Sequence, residues 1–280
     1  MIAFSDWFEN IGQLTTPWEK NIQNKIINYV YVKSEATHKF CKKQLAITIY
    51  EINKMEDVIP QNVREDIIVE KIDGFLNGTL DEPDDIPWNS EGSLLTIERQ
   101  LYQFSMSAKY LLIENLNSIL TPRLIIQTHN IMMNGSFQKD INDKLIVGRF
   151  RTRNEEVYAE YHQFVKGCDV QFLMQKCCDT YYTKNPISKA IKLFYDILSI
   201  HPFHNGNGRL CRLLLVWSLM KDGFPFAFNF SSGKKKAKQH YIQAIKRARR
   251  NDSSHLFCIL ILSLHNVIIE YNKITQKVEI

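Results

Sequence analysis

The chain has 280 residues, 45% of them hydrophobic and 23% charged, with a formal net charge of +5, enough apolar content to bury a sizeable core in one large domain or one domain with small additions. No run reaches the roughly 18 apolar residues of a membrane span, since the apolar stretch from Leu256 to Leu264 is too short and is followed by His265. The N-terminus carries Asp6 and Glu9 without a basic segment, and the six cysteines show no Cys-x-x-Cys spacing, so a cytoplasmic, reducing setting away from membranes is expected.

In chain order, apolar periodicity predicts helices over 17–32, 36–54 and 61–75. An acidic stretch from Leu76 to Ser90, broken by Pro83 and Pro87, then reads as a hinge. It divides an N-terminal helical part, residues 1–80, from a larger part, residues 81–280. Further helices are predicted over 94–114, 121–134, 168–182, 187–200, 208–222, 235–250 and 254–272, and strands only within 145–161. Between Gly223 and Asp252 stand eight basic residues and no acidic one. A solvated helix face or a cationic rim for an anionic ligand is weighed above a nucleic-acid or acidic-partner surface around Tyr241, and salt-dependent DNA binding would separate the two.

The helices over 187–200 and 208–222 flank His201-Pro202-Phe203-His204-Asn205-Gly206-Asn207-Gly208-Arg209-Leu210-Cys211-Arg212. Gly206 and Gly208 lack a β-carbon, so backbone N–H groups at the start of the second helix can approach an anion closely. Arg209 and Arg212, three residues apart, share one side of its first turn, where forked guanidinium donors match phosphate oxygens. His201, with a side chain that titrates near neutrality, can accept a proton from an attacking hydroxyl. Each residue alone has an ordinary explanation in a helix-to-helix turn, but together they read as a phosphate-handling site. His201 and His204 have no third ligand nearby in sequence, so zinc is not expected. No Gly-x-x-x-x-Gly-Lys-Ser/Thr loop is present either.

This segment resembles the Fic motif, His-x-Phe-x-Asp/Glu-Gly-Asn-Gly-Arg-x-x-Arg, and departs from it only at Asn205. The resemblance implies a mostly α fold: a multi-helix Fic-type catalytic domain with a small β-hairpin flap and extra N-terminal helices. It also implies a protein adenylyltransferase, which moves AMP, or another nucleotide monophosphate, from a Mg²⁺-bound triphosphate such as ATP to a Ser, Thr or Tyr hydroxyl of a target protein. By resemblance, His201 is the general base. Gly206, Asn207 and Gly208 form the anion hole, Arg209 and Arg212 offset phosphate charge, Tyr241 borders the nucleotide, and Phe203 anchors the loop in the core.

The similarity extends over about residues 45–266. It takes in the helix that carries His129, the Gly148-Arg149-Phe150-Arg151 element, and a flap at Val157, Tyr158 and Tyr161 that holds the target peptide by strand addition. Past the motif, Tyr241, Ile245, Ala248 and Asp252 follow the spacing of a helix closing over the adenine, with Arg249 where Asn is often found. Asn205 stands where the family usually has an acidic Mg²⁺ ligand. An amide oxygen can still coordinate a hard cation, but a unit charge at a few ångströms is worth on the order of 4 kcal/mol before desolvation, so weaker metal binding is expected. A Doc-like kinase and a nucleotide-binding pseudoenzyme are the alternatives this leaves open. Many relatives also carry an inhibitory glutamate in Ser/Thr-x-x-x-Glu-Gly/Asn. The nearest candidate is Glu51, within Ile47-Thr48-Ile49-Tyr50-Glu51-Ile52-Asn53, and Glu98 is a weaker one.

Overall fold

The structure, a computed structural model, describes residues 34–60, 62–83, 94–134, 148–153, 155–159, 162–183, 186–230 and 235–275. Helix α1 (Glu35–Met55) starts at Ser34, an extended residue whose hydroxyl accepts from the Thr37 N–H at 3.1 Å and so satisfies an otherwise orphaned donor. Helix α2 (Glu65–Asn77) stops at Gly78, which takes the left-handed conformation at φ 72° that a chain reversal requires. Helix α3 (Leu94–Lys109) continues into a π-helical turn at Tyr110–Glu114, together covering the helix expected over 94–114. Helix α4 (Pro122–Met133) is capped by the Thr121 hydroxyl, with proline at its first position, where the missing N–H is not needed.

After α5 (Gly167–Thr180) come α6 (Pro186–Ile200) and α7 (Asn207–Lys221). Helix α6 buries one face through Ile187, Ala190, Ile191, Phe194 and Ile197, whereas α7 is buried all round from Leu210 to Leu219. A helix apolar on every side belongs at the centre of a fold, and α7 sits there, packed against α6. Helices α8 (Lys235–Ala248) and α9 (Ser254–Thr275) close the domain.

By length and composition, Ser254–Ile274 of α9 suffices to cross a membrane, a wider reading than the 256–264 run allows. In the fold, Leu256, Leu260, Leu264 and Ile268 of this helix lie in the core, a one-sided stripe at helical spacing. Tyr271 extends the stripe and hydrogen-bonds the Thr37 hydroxyl of α1 at 2.9 Å. A single core runs from Phe40 on α1 through α7 to Tyr271.

Strand structure among the described residues is one antiparallel pair, β1 (Tyr158–Ala159) and β2 (His162–Gln163), with Tyr158 opposite Gln163. The helix expected over 17–32, residues 84–90 of the hinge, and Tyr161 of the expected flap lie outside the described residues.

Candidate active site

Residues 201–206 join α6 to α7, and Arg151 holds this loop from below. Arg151 is buried to 2% exposure and is surrounded by carbonyl oxygens. Its Nε donates to His201 O at 2.7 Å, Nη1 to Glu155 O at 2.6 Å, and Nη2 to Val165 O at 2.8 Å and Ile200 O at 3.1 Å. Its backbone N–H also donates to Pro202 O. These bonds fix His201 at φ 52°, a left-handed conformation that non-glycine residues adopt only when the surroundings impose it.

Three further contacts shape the loop. The Asn207 amide closes it on itself, accepting from Phe203 N–H at 3.0 Å and donating to Phe203 O at 2.7 Å. Phe203 is buried and stacks on the His129 ring at 3.6 Å, so it anchors the loop in the core as the motif implies. His129 Nε2 lies 2.9 Å from the Asn205 carbonyl oxygen and donates to it, leaving Nδ1 as a buried acceptor without a hydrogen-bond partner. Burial, reinforced by the nearby Arg209 charge, depresses the His129 pKa to about 4, and the bond to Asn205 only partly opposes this.

The N-terminus of α7 points into the site. Gly206 is its left-handed cap, at φ 75°, and a β-carbon there would come within 2.8 Å of Met133 Sδ. A β-carbon on Gly208 would meet a carboxylate, that of Glu56, at 2.4–2.6 Å. Arg212 Nη1 donates to the same Glu56 carboxylate and to Gly208 O, and the guanidinium lies 4.7 Å over the Tyr241 ring. Arg209 is buried beside Met133 with Nη1 unpaired, and Arg212 Nε is likewise without a hydrogen-bond partner. Two buried guanidiniums with unpaired N–H groups, at the positive end of a helix, make a cradle for a multiply charged anion.

The carboxylate that reaches Arg212 corrects the expectation placed on Glu51. Five residues along an α-helix turn the side chain by about 140°, so Glu51 and Glu56 leave α1 in different directions. Glu56 is the C-cap of α1, and Asp57 follows at φ 57°, its carboxylate paired with Lys238 of α8 at 2.6 Å. The motif pattern could not find Glu56, which has Ile52 four positions before it and Asp57 directly after it. The available signal was physical: a carboxylate at a helix C-terminus opposes the helix dipole and needs a positive partner elsewhere.

The structure therefore brings together His201, Asn205, Gly206, Asn207, Gly208, Arg209, Arg212 and Tyr241. Among the residues expected to form the flap, the Val157 carbonyl accepts from Phe164 N–H at 3.3 Å, and Tyr158 is 62% exposed beside Glu156. Phe164 itself stacks on His201. Asn205 is exposed and its Oδ1 accepts from Gly206 N–H at 2.7 Å. For a Mg²⁺ it offers one neutral oxygen that already accepts a hydrogen bond, a set that fits a cation held mainly by phosphate oxygens and water.

A sequence profile of the Fic/DOC family matches residues 119–219. A Fido domain-containing protein of Dictyostelium discoideum is 31% identical over 130 residues, which are 42% of this chain and 88% of that protein. The protein adenylyltransferase Fic of Drosophila erecta is 28% identical over 141 residues, 48% of this chain but only 27% of that enzyme. Among solved structures, a Fic domain-containing signalling protein of Bacteroides thetaiotaomicron superposes with a TM-score of 0.71 at 16% identity, over 92% of this chain and 97% of that one.

The pKa of His129 carries a stability consequence. Its value in the fold lies below the ordinary 6.5, so the unfolded chain binds the proton more readily, and the stabilisation is full above pH 6.5 and lost as pH falls toward 4. The unfolding free energy is expected to drop by about 3 kcal/mol across that window. Denaturant titrations at several pH values should show this component absent in His129→Gln, whose amide can still donate to Asn205 O.

Proposed function

The chain belongs to the Fic/DOC family, and from that membership we propose that it is a protein adenylyltransferase, transferring AMP from ATP to a hydroxyl group of a target protein with release of pyrophosphate. The observation that carries this reading is the Glu56 carboxylate seated on the α7 N-terminus against Arg212. An internal anion seated there supports a cradle suited to phosphate.

In the proposed reaction, His201 takes the proton of the target's Ser, Thr or Tyr hydroxyl as its oxygen bonds to the α-phosphorus. The bond to pyrophosphate breaks on the opposite side. The backbone N–H groups of Asn207 and Gly208 and the two guanidiniums offset the charge that gathers on the departing pyrophosphate, in a site whose donors are already oriented; the Gly206 N–H is instead held by Asn205 Oδ1. Tyr241, packed beneath Arg212, borders the nucleotide. Asn205 would be the chain's contribution to holding Mg²⁺, which when bound would offset phosphate charge. Residues 157–163 would align the target strand beside His201. Six free thiols support the proposal of a reducing, cytoplasmic setting.

Glu56 lies against Gly208 and Arg212, within the cradle proposed for the phosphates of ATP, so it is proposed to hold the enzyme back, the role that the family resemblance had suggested for Glu51. Glu56→Gly is expected to raise transfer from α-³²P-ATP by roughly tenfold or more. Label appearing from γ-³²P-ATP alone would reject nucleotidyl transfer in favour of kinase chemistry. ATP binding without any label would indicate a pseudoenzyme.

Two further outcomes follow from the same site. His201→Ala in the Glu56→Gly background should abolish transfer while ATP binding, read by calorimetry, changes little; undiminished transfer would remove His201 from the mechanism. Asn205→Asp should lower the Mg²⁺ concentration for half-maximal transfer modestly, since the added carboxylate must itself be desolvated. Equal midpoints would show that residue 205 does not touch the metal.

A further inference from the structure

Phe164 is absent from the motif, yet three parts of the site meet at its ring. The ring stacks on the His201 imidazole with centroids 3.9 Å apart and planes 22° from parallel. The Arg249 guanidinium, from the turn directly after α8, lies over the Phe164 ring at 5.9 Å. Phe164 is 8% exposed, and its N–H continues the β1–β2 ladder to the Val157 carbonyl. Arg151 binds both the Val165 and the His201 carbonyls, so the backbones beneath the stacked rings are tied to one guanidinium.

We infer that Phe164 is a positioning residue for the base, with Arg249 as its clamp. The inference rests on the proposed role of His201. An imidazole attached to a tetrahedral carbon has a broad torsional preference, so the loop backbone alone does not determine which way its nitrogens point. A flat partner at van der Waals distance restricts the ring to one plane, worth about two- to tenfold in the population of the working orientation. The cation over the far partner of the stack favours an aromatic ring there over an aliphatic one of similar size. Because Phe164 also forms the rung next to the β-pair, a target strand paired on the hairpin sits one residue from the group that orients the base.

The test uses the full chain with Glu56→Gly and α-³²P-ATP. Phe164→Leu should lower kcat by about tenfold with KM for ATP changed less than about twofold, the signature of an interaction made at the reacting group. Phe164→Tyr should recover most of the rate, Arg249→Ala should lower it about threefold, and Arg249→Lys, which keeps the cation, should lose less. An unchanged kcat in Phe164→Leu, or equal deficits in the Leu and Tyr variants, would overturn the inference.

A second measurement does not depend on turnover. The ring-proton resonances of His201, identified by their loss in His201→Ala, should move downfield in Phe164→Leu as the ring current of the stacked phenyl disappears. Unchanged resonances would overturn the inference as well. A Glu56→Gly protein that transfers no label would sink the adenylyltransferase reading, and the resonance positions would then decide the role of Phe164 alone.

Discussion

A helix N-terminus that points into a protein presents N–H groups no turn of its own helix can satisfy. In this fold that helix is α7, the most deeply buried of those described, so its open end cannot be moved to the surface without emptying the core. Much of the site follows from this constraint. The cap must be left-handed, hence Gly206; side chains must stay clear, hence Gly208; and the positive end must face an anion, which Glu56 supplies from the end of another helix. Arg209 and Arg212 add charge of the same sign to the same place, a choice that makes sense for a site whose occupant carries several negative charges.

Around that end, the loop is held by groups that do no chemistry of their own. Arg151 gathers carbonyls from both sides of the turn, His129 holds the Asn205 carbonyl, and Asn207 folds the loop back on Phe203. Each of these bonds terminates on the backbone, and the Arg209 and Arg212 guanidiniums keep unpaired N–H groups. The neutral His129 is integral to this arrangement, because only an imidazole that keeps one lone pair can be buried here without adding a third cation beside Arg209.

Among the described residues the helices were legible because their apolar spacing is a local property, and the glycine-bracketed loop with its arginines because its residues are consecutive. Even the π-helical turn at 110–114 hid inside a predicted helix, since one widened turn leaves the apolar rhythm nearly intact. What could not be read were contacts made across the chain. Glu56 meets Arg212 over 156 positions, and its rotation away from Glu51 depends on where α1 ends. Phe164 looks like any strand-end aromatic until α6 brings His201 under it. Arg151 was visible as part of an element, but its collection of carbonyls exists only once three segments converge.

Helix α1 begins with a hydroxyl bonded to Tyr271 and ends with a carboxylate on Arg212, and between these points Phe40, Ile49, Tyr50 and Ile52 are core residues. The element that carries Glu56 is therefore also a structural beam. Cutting it away would strip the central helix of packing along with the Glu56 carboxylate. The contact with Arg212 depends only on the final turn, where Asp57 is paired with Lys238, while the rest of α1 belongs to the core.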